Sequence, residues 1–160
     1  MNRRDWLGAL LAERPARRLL ALRHAGPLPA LANLLEPSGV DALWIDGAED
    51  PSALAPVGRH DLAVVIDQLE FMAAPARRHL LVRLRDLHAR SVAVCVSESV
   101  ATEWPLAEWR ALQFVPGEPL DEEGQRYFTF EFDLATYNPE RSWNTPEHWA
   151  NPANFDRYRW

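Results

Sequence analysis

The chain has 160 residues, 48% of them hydrophobic and 25% charged, with a formal net charge of −6. These proportions are those of a globular domain and exclude disordered, collagen-like and coiled-coil chains, and the length suits one domain with its own core. The acidic balance has the wrong sign for a protein that lives on nucleic acid or anionic lipid, and no apolar run approaches the roughly 18 residues of a membrane span. The single Cys95 sits in the apolar run Ser91–Val96, so no internal disulfide is possible and the thiol reads as a small buried hydrophobe. The apolar stretch from Trp6 to Ala12 is closed at once by Glu13 and Arg14, too early for a signal peptide. A reducing, cytoplasmic setting is expected.

In chain order, Trp6, Leu7, Leu10 and Leu11 form one stripe of a short helix over residues 3–13, which Pro15 ends. Residues 18–23 read as a strand, 29–36 as a short helix and 40–45 as a second strand ending at Asp46-Gly47. The run Asp61-Leu-Ala-Val-Val-Ile66 is unbrokenly apolar after its first residue, as in a parallel strand covered on both faces. Pro75 opens a helix to about Ala89, with Leu80, Leu81, Leu84 and Leu87 on one face and Arg77, Arg78, Arg85 and Arg90 largely on the other. Residues 91–96 follow as another buried strand, and alternating strands and helices imply a mostly parallel sheet between two helical layers.

The last third changes character. Residues 104–112 read as a short helix, 113–115 as the start of a strand and 127–133 as a final strand, with an acidic turn from Gly117 to Gly124 between them. That pattern predicts an antiparallel hairpin at the sheet edge. From Tyr137 the chain is poor in aliphatic residues but carries Trp143, Trp149, Phe155, Tyr158 and Trp160. Its three cap-then-proline units, at Asn138, Thr145 and Asn151, predict tight turns that each present a ring. Such rings stack on bases or sugars, mark a protein interface, or seal a core; the scarcity of aliphatic residues favours sealing. The expected division is therefore an α/β domain over 1–136 and an aromatic strap over 137–160 packed on it.

Charge is spread unevenly. Residues 1–24 carry Arg3, Arg4, Arg14, Arg17, Arg18 and Arg23 against Asp5 and Glu13, whereas residues 98–140 carry ten acids against Arg110 and Arg126. The simplest reading is a surface whose two ends attract each other.

The segment Asp61-Leu-Ala-Val-Val-Ile-Asp67-Gln68-Leu69-Glu70, with the leucine-rich helix and the Ser91–Val96 strand after it, resembles strands four and five of class I S-adenosylmethionine-dependent methyltransferases. The resemblance spans residues 17–133, and the tail is similar to the ending of a small uncharacterised bacterial family of such proteins. It implies a three-layer Rossmann-like fold, shortened by one strand and one helix between Asp46 and Asp61, and a site for S-adenosylmethionine. Carried onto this chain, that site comprises Arg23, His24 and Gly26 beside the methionine part, Asp46 and Gly47 at the ribose, and Asp67 with Gln68 near the adenine and substrate. The turn Arg23-His24-Ala25-Gly26-Pro27 departs from the family's glycine-rich loop, with one glycine where about three are usual. Bulk at Arg23 and His24 and the missing N–H of Pro27 work against close approach of a ligand.

Other chemistry finds less support. Asp46 and Asp67 end predicted parallel strands and could together hold Mg²⁺, but no glycine-rich phosphate loop accompanies them and such carboxylates more often cap turns. The five histidines lack metal-ligand spacing, and Ser97 and Ser99 lack a nucleophile elbow. His24 is the histidine placed to act as acid or base. The expected function is a methyltransferase-like domain that has lost efficient cofactor binding and serves as a binding or regulatory module for a protein or small ligand. The alternative is an active methyltransferase on an unidentified substrate. A weaker idea docks the Arg77–Arg90 face on an acidic partner.

Overall fold

A computed structural model of the protein describes residues 1–46, 51–137 and Ala153. Gly47 and the aromatic segment expected to form a strap over 137–160 lie outside the described residues, Tyr137 and Ala153 apart. Helix α1 (Arg3–Glu13) starts where the Asn2 side chain accepts the Asp5 N–H at 2.8 Å, filling one of the orphan donors of a first turn. Strand β1 (Arg18–Leu22) follows, then α2 (Pro29–Leu35) with proline in its first turn, and β2 (Asp41–Ile45). Strand β3 (His60–Ile66), α3 (Ala74–Arg83) and β4 (Ala89–Ser97) form the centre. The chain closes through α4 (Glu98–Glu103), α5 (Leu106–Ala111), β5 (Val115–Pro116), β6 (Leu120–Glu122) and β7 (Gln125–Asp133).

The seven strands make one sheet in the order β2-β1-β3-β4-β7-β5, with β6 also on β7. Strands β1 to β4 are parallel, in registers such as Leu20↔Leu43, Leu20↔Ala63 and Val64↔Ala93, while β7 runs antiparallel to β4 with Val94 opposite Phe130. Successive residues of a strand point to opposite faces, so each central strand feeds two cores. On one face Leu20, Val65, Val94 and Phe130 pack with Leu81, Leu84 and Trp109; on the other Leu19, Val64, Ala93 and Cys95 pack with Trp6, Leu7, Leu10 and Leu31. The three-layer, mostly parallel α/β fold with antiparallel edge strands is thus the one the sequence predicts.

Four local expectations need correction. The long helix ends in a π turn over Leu84–His88, whose wider spacing shifts the register, so Leu87 is exposed and β4 begins two residues early at Ala89. Arg77, read as solvent-facing, is buried, donating Nε to the Leu69 carbonyl at 2.8 Å and Nη1 to Glu103 at 2.7 Å. With Arg78 on Glu108 and Arg85 on Asp86, the basic face is largely paired within the chain. The acidic turn holds a strand: β6 returns into β7 through Glu123 and Gly124, both at positive φ, as a tight hairpin twist requires. Helix α4 was not foreseen: residues 97–103 carry no element in the sequence reading, between the strand at 91–96 and the helix at 104–112.

Charge does join the two ends of the sequence. Arg3 pairs with Glu122, and Arg14 with Glu131 at 2.6 Å, each across more than a hundred residues.

Candidate functional site

The chain runs from β1 to β2 on one side and then returns to β3 on the other, so the strand order reverses between β1 and β3. Outside the carboxyl ends of these strands lies the crevice where open α/β sheets bind ligands. Arg23 and Asp67, the residues just beyond β1 and β3, flank it.

The turn after β1 is stitched to both neighbours. The Arg23 N–H donates to the Ile45 carbonyl at 3.1 Å, and the His24 N–H to the Asp67 carbonyl at 3.3 Å. Ala25 (φ 63°) and Gly26 (φ 93°) then turn through left-handed backbone; nothing lies within 4 Å of where a Cβ on Gly26 would stand, so glycine is wanted there for conformation rather than room.

Asp46 Oδ2 lies 3.0 Å from His24 Nδ1 and accepts the Ala25 N–H at 3.3 Å. The far face of the His24 ring lies against Phe71, centroid to centroid 4.2 Å, and Phe71 is itself exposed. Asp67 adopts φ 48°, a conformation a non-glycine residue holds only when its surroundings fix it. Those surroundings are two guanidinium groups: Arg3 Nη1 donates to Oδ1 at 2.8 Å and Arg23 Nε to Oδ2 at 3.3 Å, while Arg23 Nη1 donates to the Gly26 carbonyl at 3.0 Å. Arg3 also donates Nε to Glu122 and lies 4.5 Å over the Tyr127 ring.

Burial disfavours the charge on Arg3 and is the largest single influence on it. The hydrogen bond to Glu122 and the charges of Asp67, Tyr127 and Glu122 together outweigh it, and the pKa rises above its ordinary value. Tyr127 is raised by burial, with Arg3 opposing and the two acids adding. Beneath them burial pushes the Cys95 thiol up to about 12, so it is inert as a nucleophile.

The structure therefore brings Arg23, His24, Gly26, Asp46 and Asp67 together at one edge. Gln68 is at the same edge, but its side chain is fully buried and its carbonyl accepts the Phe71 N–H at 3.2 Å, opening a short 3₁₀ turn. Arg3, Glu122, Tyr127 and Phe71 lie at the site and were not singled out as site residues; the charge asymmetry was the available signal, and it named Arg3 as one of six arginines without placing it here. Among the described residues no group of three or more His, Cys, Asp or Glu could hold a metal ion. His60 and His88 serve the fold, each with Nδ1 against a backbone carbonyl, of Gly58 at 2.9 Å and Val57 at 2.8 Å.

Residues 1–160 match the model of a family of unknown function, DUF6231. The chain belongs to that family. No curated protein matches it in sequence. Among solved structures it is similar to magnesium protoporphyrin IX methyltransferase from Synechocystis PCC 6803 with bound S-adenosylmethionine, at TM-score 0.54 and 13% identity over 80% of this chain and 74% of that one. It is also similar to 1,6-didemethyltoxoflavin-N1-methyltransferase from Burkholderia thailandensis with bound S-adenosylhomocysteine, at TM-score 0.52 and 20% identity, with the same coverage. A human methyltransferase 10 domain containing protein aligns at TM-score 0.50 and 15% identity, over 82% and 78%. At these identities the likeness is one of fold, and the fold is that of the Rossmann-like methyltransferases. No helix among the described residues is long and apolar enough to cross a membrane.

Proposed function

We propose that this domain keeps the methyltransferase scaffold as a binding or regulatory module, and that its carboxyl edge no longer takes up S-adenosylmethionine efficiently. One observation carries the reading: both carboxylates at the switch point are already engaged by the chain's own donors, Asp46 by His24 and Ala25, Asp67 by Arg3 and Arg23. The cofactor carries a sulfonium, an ammonium and a carboxylate, and the two acids that could attract its cationic groups, Asp67 and Glu122, are already neutralised by Arg3 and Arg23. Ribose hydroxyls would have to displace the His24 ring from Asp46. Losing a partly buried hydrogen-bond partner in this way typically costs up to about 1–3 kcal/mol. The residues present thus fit the cofactor poorly. We further propose a cytoplasmic setting, in which the free, buried thiol of Cys95 stays reduced.

The competing reading, an active methyltransferase, draws on the position of Asp46 at the end of β2 and on the left-handed bend at Ala25 and Gly26. Calorimetric titration of the wild-type protein with S-adenosylmethionine and S-adenosylhomocysteine separates the two. The module predicts no saturable heat at millimolar ligand. Micromolar binding, about −8 kcal/mol, that vanishes in Asp46→Ala would establish the enzyme instead.

A further inference from the structure

The surroundings of Arg3 form a site in their own right. Its guanidinium bridges two carboxylates, Nη1 on Asp67 and Nε on Glu122, and lies 4.5 Å over the Tyr127 ring, with only 17% of the side chain exposed. Two acceptors reached by separate N–H groups of one planar fork, with an aromatic face beneath, is a constellation that suits a guanidinium and that an ammonium cannot satisfy in the same way. The charges also count in its favour. Asp67 and Glu122 carry −2, and Arg23, bonded to the second oxygen of Asp67, returns +1. With Arg3 withdrawn, the cage is left one positive charge short.

Arg3 is well placed to be withdrawn. It is the first residue of α1, one turn before the residues that anchor the helix, Trp6, Leu7 and Leu10, which are 5%, 0% and 3% exposed. The turn ahead of the anchors is held at its backbone by the Asn2 side-chain cap on the Asp5 N–H, by the Trp6 N–H on the Asn2 carbonyl at 3.1 Å and by the Asp121 N–H on the Met1 carbonyl at 3.2 Å, and both Met1 and Asn2 are exposed. First turns of helices fray at far lower cost than cores.

We propose that Asp67, Glu122 and Tyr127 form a recognition cage for an alkylguanidinium, that Arg3 is its built-in occupant, and that a ligand bearing this group takes the cage when the first turn of α1 opens. The inference rests on reading the carboxyl edge as a binding module and names the chemistry it binds. The ligand competes with a tethered rival, so its apparent affinity for the wild type is lowered by the fraction of open chains.

The test titrates ethylguanidinium, ethylammonium and the blocked peptide acetyl-Gly-Arg-Gly-amide into Arg3→Ala, following backbone amide NMR signals of Asp67, Glu122 and Tyr127. Expected is saturable binding of ethylguanidinium in the millimolar range, about tenfold tighter than ethylammonium, weakened about tenfold or more in the wild type and abolished by adding Glu122→Gln. Arg3→Met, which keeps the packing of the stem, carries the same titration should Arg3→Ala not fold. Binding of the peptide as well assigns the site to an arginine of a protein partner; binding of ethylguanidinium alone assigns it to a small organic cation. No saturable shift in a folded Arg3 variant, or equal binding of ethylammonium, overturns the proposal. That outcome is separate from the cofactor titration of the wild type, which tests the module reading by itself.

Discussion

In the middle of the sheet β3 and β4 bury Val64, Val65, Val94 and Val96 at 0–1% exposure, each against neighbours chosen by volume and alternation. One residue beyond β3, at Asp67, the chain is instead held in left-handed backbone by two charged side chains, one of them 64 residues distant in sequence. The interior draws on apolar area, which is local, additive and insensitive to small errors in register of any one side chain. The edge draws on pairings between remote residues, with side chains 17–26% exposed, whose net worth is small and whose geometry is specific. A scaffold of this kind retains its fold while its edge changes use.

The comparison breaks most readily at Trp109. Its ring stacks on Phe130 at 3.8 Å and meets Trp104 edge-on at 4.7 Å, wholly buried. Trp109→Ala is expected to cost about 3–5 kcal/mol in urea unfolding, the largest loss of any substitution discussed. Next comes Gly117, where an added Cβ would stand 2.6 Å from Thr129 Oγ1 on β7. Gly117→Ala should cost about 1–3 kcal/mol, and Thr129→Ala in the same chain should recover part of that loss by clearing the hydroxyl.

At the edge the effects are smaller and of another kind. Asp67→Ala removes the acceptor of Arg3 and Arg23 but keeps the left-handed backbone, and is expected to lose about 1–2 kcal/mol. Asp67→Gly loses the same bonds and relieves the strain, so it should be the more stable of the two, an order that thermal unfolding reads directly. Asp61 gives the smallest effect. Its Oδ2 accepts the N–H groups of Arg17 and Arg18, both at 3.0 Å, and these bonds hold its carboxyl below the usual range. A depressed folded pKa contributes stability that is present above the unfolded value, about 3.9, and lost as pH falls through the folded one. Asp61→Asn should therefore be less stable than wild type at neutral pH by only a few tenths of a kcal/mol, roughly 0.5 or less with solvent screening at this exposed carboxylate, and the gap should close in acid.

The same division governs what could be read from the sequence. Strands β1 to β4 were legible because unbroken apolar runs between Pro, Gly and Asp leave few alternatives, and the helices because Pro29 and Pro75 mark their first turns. Leu87 was misplaced because a π turn after Arg83 shifts a register that ordinary helical periodicity assumes, and Arg77 because its buried guanidinium is satisfied by the Leu69 carbonyl and by Glu103, pairings that periodicity does not show. At the site, His24, Asp46 and Asp67 follow from their places at strand ends, which topology alone gathers. Arg3 and Glu122 do not: 119 residues separate them, and no spacing rule reaches across the fold that joins them.

The central claim is that the carboxyl edge is occupied by the chain's own pairs, and NMR of the Arg3 and Arg23 Nε–H and His24 ring signals in the wild-type protein tests it most directly. With S-adenosylmethionine raised to millimolar concentration, the account predicts that these signals stay at their positions, Arg3 and Arg23 remaining slow to exchange and His24 still held by Asp46. Saturable shifts of all three, with release of the Arg3 Nε–H to solvent, would contradict it and return the edge to the cofactor.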